Sequence, residues 1–275
     1  MKTHTLLIVF FLIATCLVAQ EVTYKSIEDI PYYENTDTIK DAYKKERCVL
    51  DLYYPSGLNA FPVVVWFHGG GLEFGQKEIP EGLKQKGIAV IGVNYRLSPK
   101  VKSPAYVEDA AAAVSWAFHH IAEYGGDPEL IFVSGHSAGG YLASMVGMDK
   151  RWLAKFGIDA NDIAGLIPLS GQCITHFTIR KERGIPSTEP IIDDMAPINH
   201  VRPDAPPILL ITGDRDKDMP ARYAENEYML TMLKVVGHPD ARLYELGGYS
   251  HMMVEPALPL VLEEVKRITK IKEGK

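Results

Sequence analysis

Alternating strand-like and helix-like segments predict an α/β fold, a mostly parallel, twisted sheet with helices on both faces. The apolar runs at 61–67 and 88–94 are too short for helices and are continuous rather than alternating, as in strands buried on both faces. Between the later strands, Val107, Ala111, Val114, Phe118 and Ile121 recur at spacings of four and three, the period of an amphipathic helix. Succession of the two kinds of segment is the pattern of crossover connections in a parallel sheet.

In chain order, 48–54 and 61–67 read as strands, and 81–86 as a helix stopped by Gly87. Strand 88–94 precedes the periodic helix, which ends at Gly125 and Gly126. Then come strand 131–133, helix 138–148 and strand 166–169. The polar stretch 174–196, rich in Ile, Pro and charges, suits a short lid or a plain surface loop. Strand 208–212, helix 223–236, strand 242–246 and helix 257–271 complete a single domain over 20–275. Ligands on such sheets sit at the carboxyl ends of strands, so the chemistry is expected in the loops that follow them.

The 29 Lys and Arg against 35 Asp and Glu leave a net charge of −6, with no basic surplus for a nucleic-acid backbone. Three cysteines are too few for a disulfide scaffold, and Cys48 and Cys173 lie in or beside apolar runs that suit small buried thiols. At the start, Lys2 precedes an apolar run over 6–18 that turns polar at Gln20, which reads as an export signal over 1–19 with cleavage after Ala19. Lipidation at Cys16 is the alternative, disfavoured by Thr15. The run is too short to span a bilayer, so no membrane span is expected in the mature chain, which is expected to be secreted or periplasmic.

The chemistry begins after strand 131–133 with Gly135, His136, Ser137, Ala138 and Gly139, a Gly-x-Ser-x-Gly turn leading into a helix. Such a turn lifts the Ser137 hydroxyl above the sheet as a nucleophile. After strand 61–67 comes His68, Gly69, Gly70 and Gly71, whose backbone is open to a substrate. Gly70, Gly71 and Ala138 are the expected N–H donors of an oxyanion hole. His68 is read as a brace within that loop. The base and its orienting acid must follow Ser137 in the chain. His251, after strand 242–246, lies at the carboxyl edge, whereas His238 enters that strand from the opposite edge. After strand 208–212, Asp214, Asp216 and Asp218 compete for the acid; Asp216, three positions past Gly213, is the expected partner of His251. Asp214 and Asp218 are expected to be solvated loop acids, Asp214 bonding the loop backbone, and Asp193 and Asp194 are a distant alternative for the acid. Leu72, Phe74, His136 and Met252 are the expected substrate-binding side chains. No His-Glu-x-x-His pattern occurs, and no metal or other cofactor is expected.

With these residues in place, the chain resembles the α/β-hydrolase superfamily over most of its length, and within it the His-Gly-Gly-Gly esterases of the hormone-sensitive-lipase-like group. Tyr95, Arg96, Leu97, Ser98 and Pro99, Glu108 and Asp109, and Tyr124 to Pro128 carry further likeness. His136 stands where that group commonly has Asp, and little chain precedes the strand at 48 to form an N-terminal cap. Both departures are closer to small secreted esterases that remove feruloyl or acetyl groups from xylan, and to kynurenine formamidases. The resemblance implies a serine esterase acting on a small-molecule or carbohydrate ester through an acyl-enzyme, with arylformamide hydrolysis as the alternative.

Overall fold

A computed structural model describes residues 22–33 and 41–274. The export-signal reading of 1–19 and the Cys16 alternative lie outside the described residues. Eight strands form one sheet: β1 (Thr23–Pro31), β2 (Val49–Ser56), β3 (Phe61–Phe67), β4 (Ala89–Val93), β5 (Gly126–His136), β6 (Gly165–Leu169), β7 (Ile208–Gly213) and β8 (Ala241–Leu246). Their spatial order is β1-β2-β4-β3-β5-β6-β7-β8. β1 pairs antiparallel with β2, and β2 antiparallel with β4; every other pairing is parallel. The helices are α1 (Ala42–Arg47), α2 (Ala105–His120), α3 (Ala138–Met148), α4 (Arg151–Ala154), α5 (Phe177–Glu182), α6 (Arg222–Val235) and α7 (Val254–Lys272).

The continuous apolar runs are explained by two cores. Along β3, Val63, Val65 and Phe67 join one cluster, with side chains of α2 and α3, while Val64 and Trp66 point to the other, under α7. β4 divides likewise, Ala89, Ile91 and Val93 against Val90. Side chains alternate across a strand, so a strand covered on both faces needs apolar residues at every position. Each such side chain contributes about 1.5–3 kcal/mol through burial.

The order places the site. β4 lies on one side of β3 and β5 on the other, so consecutive connections run to opposite sides and the loops after β3 and β5 meet at a switch point. Two segments depart from expectation. Residues 81–86 form only a 3-10 turn, Glu81–Leu83, because Gly82 packs under Leu258 and Gln85 takes a left-handed φ of 58°. β1, which carries more exposed than buried positions, was not anticipated as a strand. Cys48 and Cys173 are free and buried.

Candidate active site

Ser137 joins β5 to α3 with φ 56° and ψ −114°, a conformation that non-glycine residues rarely hold. The strain is fixed on both sides: the Ser137 N–H donates to the Leu169 carbonyl (2.8 Å), and its carbonyl accepts from the Tyr141 N–H (2.9 Å). Gly139 permits this turn, because a Cβ there would lie 2.0 Å from the Phe67 carbonyl oxygen at the end of β3. The loop after β3 therefore lies directly against the elbow, with Gly69 approaching Ser137. Gly70 and Gly71 hold φ values of 108° and 63°. Ala138 is the first residue of α3, where helix N–H groups have no partner within the helix and the helix dipole favours negative charge.

His68 braces this loop as expected. Its Nδ1 lies 2.6 Å from the Gly69 carbonyl oxygen and its ring stacks on Tyr95 at 4.4 Å. Burial pushes the His68 imidazole down to about 4, with Arg47 adding to the effect and the Gly69 contact opposing it.

On the other side of Ser137, His251 Nε2 lies 2.9 Å from the Ser137 Oγ, and His251 Nδ1 lies 2.7 Å from Asp218 Oδ1. The carboxylate on His251 is thus Asp218, correcting the expectation of Asp216. After β7 the chain makes one tight turn in which the Asp218 N–H donates to the Asp214 carbonyl (2.8 Å), and Asp218 Oδ2 accepts from the Gly213 N–H (2.9 Å). That turn folds residue 218 back onto the strand end and leaves Asp216 exposed, its N–H donating to Asp214 Oδ1 (3.0 Å). The Asp218 carboxyl is fully buried rather than solvated. Burial alone would raise its pKa, but hydrogen bonds from His251, Ser170 and the Met219 amide outweigh it and hold the carboxyl well below the usual range. Asp214 also accepts from the Gly248 N–H (2.6 Å), tying this turn to the loop that carries His251.

Ser170, at the end of β6, was not among the expected residues. Its Oγ donates to Asp218 Oδ2 (2.7 Å) and lies 3.0 Å from His251 Nδ1. Its position after an apolar strand, at the edge where the chemistry gathers, was the available signal.

The expected substrate-binding residues separate into two pairs. Leu72 is wholly buried, and its carbonyl accepts from the Ser98 N–H (2.8 Å), so it is a core residue. His136 is also buried: its Nε2 lies 2.8 Å from the His251 carbonyl oxygen and its ring 4.6 Å from that of His251. It supports His251 from behind rather than facing a ligand. Burial, then the neighbouring His251, pushes its imidazole down to about 4. Phe74 and Met252 are 68% and 79% exposed at the two rims, beside the Gly70 loop and His251 respectively.

A cavity of about 630 Å³ adjoins this arrangement. Ile174, Phe177, Pro190 and Met219 form its apolar wall. Phe177 packs against Gly71, and Met219 follows Asp218. The stretch 174–196 supplies part of the cavity lining and is tethered: Thr178 Oγ1 donates to the Gly71 carbonyl, and Glu182 accepts from the Ser103 N–H (3.0 Å). No cluster of three or more His, Cys, Asp or Glu suited to a metal ion occurs among the described residues.

Residues 50–164 match the BD-FAE family model. Among curated proteins, the chain is 28% identical over 187 residues to the probable carboxylic ester hydrolase LipM of Mycobacterium tuberculosis, covering 59% of this chain and 43% of LipM. It is 41% identical over 110 residues to the carboxylic ester hydrolase LipN of the same organism, covering 38% and 29%. The chain thus spans about half or less of the length of these relatives. Among solved structures, a truncated carbohydrate esterase from gut microbiota superposes with a TM-score of 0.75 at 18% identity, over 91% of this chain and 98% of that one. Esterase B from Lactobacillus rhamnosis gives 0.71 at 21% identity, over 93% and 91%. These likenesses show the fold.

Proposed function

We propose that this chain, which has the fold of the esterases it superposes on and matches the BD-FAE family model over 50–164, is a serine carboxylic-ester hydrolase acting through Ser137, His251 and Asp218. The observation that carries the reading is the continuous relay from Ser137 Oγ to His251 Nε2 (2.9 Å) and from His251 Nδ1 to Asp218 (2.7 Å). Asp218 holds the proton on Nδ1, which leaves the Nε2 lone pair free to take the Ser137 proton as Oγ attacks the ester carbonyl. Negative charge then develops on the carbonyl oxygen, where the N–H groups of Gly70, Gly71 and Ala138 are the proposed donors. His251 returns the proton to the departing alcohol, and water repeats the sequence on the acyl-enzyme.

The substrate is a small or carbohydrate-linked ester, with acetyl or feruloyl esters of xylan as the class to test first. Similarity in fold to a protein described as a carbohydrate esterase supports that choice. The export signal read over 1–19 is consistent with action on a polymer outside the cell.

Hydrolysis of p-nitrophenyl acetate, methyl ferulate, acetylated xylan and N-formylkynurenine by the wild-type protein and Ser137→Ala tests the reading. Ester turnover that disappears in the variant supports it. Unchanged turnover in Ser137→Ala, or turnover of the formamide alone, contradicts it.

A further inference from the structure

The cavity next to Gly71 and the Asp218 turn is lined by both apolar and cationic side chains. Arg180 and Arg222 both line it, and they are only 4% and 2% exposed. Neither makes an ion pair among the described residues. The partners of Arg180 are the carbonyl oxygens of Ser187 (2.9 Å) and Glu189, both through Nη1. Those of Arg222 are the Ser170 carbonyl oxygen and the Met219 sulfur (3.6 Å). A guanidinium presents five N–H donors, so each retains unused ones, and the Nε of both is buried without a partner.

Burying a cation without a counter-charge is costly, and structures normally pair such groups. Glu225 lines the same cavity and, with the buried Asp218, acts on Arg222, but one Glu225 oxygen accepts from the Cys173 N–H (3.0 Å) and Asp218 is engaged by His251, Ser170 and the Gly213 N–H, so neither carboxylate forms an ion pair with Arg180 or Arg222 among the described residues. Gln172, Ser187 and Thr188 add polar atoms to the wall. The Arg222 carbonyl partner, Ser170, is the residue that also bonds Asp218, so this wall is continuous with the catalytic network.

We infer that this cavity receives a carboxylate carried by the substrate in addition to the ester that is cleaved. Planar, bidentate hydrogen bonding suits a guanidinium to a carboxylate, and the apolar wall of Phe177 and Pro190 accommodates the carbon chain or ring that bears it. The inference rests on the hydrolase reading, whose ester it places. It adds the chemistry of the group recognised: acidic esters, such as half-esters of dicarboxylic acids or O-acyl esters of hydroxybenzoic or uronic acids.

Two matched pairs of esters test it without assuming which side of the scissile bond enters the cavity. Mono-p-nitrophenyl glutarate against its methyl ester places the carboxylate on the acyl side. 4-Acetoxybenzoate against methyl 4-acetoxybenzoate places it on the alcohol side. The expected result is a preference of about tenfold or more in kcat/KM for the charged member of one pair, weakening as salt rises. That preference is expected to fall about tenfold in Arg180→Gln and to be partly restored in Arg180→Lys. Equal or lower rates for the charged member in both pairs overturn the inference, whatever the variants do. The hydrolase reading stands or falls separately on turnover of the neutral esters. Calorimetric titration of Ser137→Ala with monomethyl glutarate and dimethyl glutarate gives a readout free of turnover. Binding of the monoester alone supports the inference for the acyl side, and tighter binding of the neutral diester contradicts it there.

Discussion

The loops after β3 and β5 meet backbone to backbone, whereas those after β6, β7 and β8 add side-chain hydrogen bonds to the backbone approach of Gly213 to Tyr249 and Ser250. On the first side a Cβ at Gly139 would stand 2.0 Å, and one at Gly135 2.6 Å, from the Phe67 carbonyl oxygen. On the second, Ser170, Asp218 and His251 are joined by hydrogen bonds of 2.7 to 3.0 Å, and Asp214 links two loops through the Gly248 N–H. In one half, nothing larger than hydrogen fits at Gly135 and Gly139. The other depends in addition on matched proton donors and acceptors. The difference teaches where each half is vulnerable: the first to added volume, the second to a lost charge or hydroxyl.

The largest expected effect falls where the halves join. Ser137→Ala is expected to lower kcat/KM on a neutral ester by about 10⁵-fold or more, and His251→Ala by a similar factor, with little further loss in the double variant because the two act as a unit. Steady-state rates of the three variants check this. Next, Asp218→Asn is expected to lower kcat by about 10⁴-fold through the wrong imidazole tautomer. Asp216→Asn, on an exposed side chain, is expected to stay within about twofold of wild type. A larger loss at 216 than at 218 would reverse the assignment of the acid.

That reversal would also restore what the sequence suggested, which makes the reason for the difference instructive. Glycine is the visible trace of close backbone approach, so the Gly-Gly-Gly loop and the elbow at Ser137 were legible in the sequence. His251 was legible from the edge at which its loop emerges. Choosing among Asp214, Asp216 and Asp218 required the turn that returns residue 218 to the Gly213 N–H, which composition does not encode. Ser170 is one of many serines and becomes notable only through its neighbours. His136 and Leu72 adjoin functional residues in the chain but face inward, because a residue's place in the chain does not fix the direction of its side chain through irregular backbone.

Smaller effects separate the halves further. Gly139→Ala is expected to cost about 3 kcal/mol or more in unfolding free energy, since backbone rather than a flexible side chain opposes the added methyl. Ser170→Ala is expected to lower kcat about tenfold with a much smaller shift in the denaturant midpoint, because it loses one hydrogen bond to a buried carboxylate and no packing. Equal stability losses in the two variants would erase the distinction between added volume and lost hydrogen bonding.

The smallest effect is graded with pH. His68 and His136 are held neutral in the fold, titrating near about 4, while an unfolded chain protonates them near about 6.5. Between those values the unfolded state binds more protons, so stability contributed by keeping them neutral is present above about 6.5 and lost as pH falls toward 4. The loss approaches about 1.4 kcal/mol per pH unit for each histidine. Denaturant unfolding from pH 7 to pH 4 is expected to show this decline, and His136→Gln to flatten it.

Covalent labelling tests the central claim, a nucleophilic Ser137 activated by His251 and Asp218, most directly. The wild-type protein is treated with a fluorophosphonate and its adduct is located by peptide mass spectrometry. The account predicts a single adduct on Ser137, formed as readily in Asp216→Asn and slowed by orders of magnitude in Asp218→Asn and His251→Ala. An adduct on another residue, or labelling that is as fast without Asp218 as with it, would contradict it.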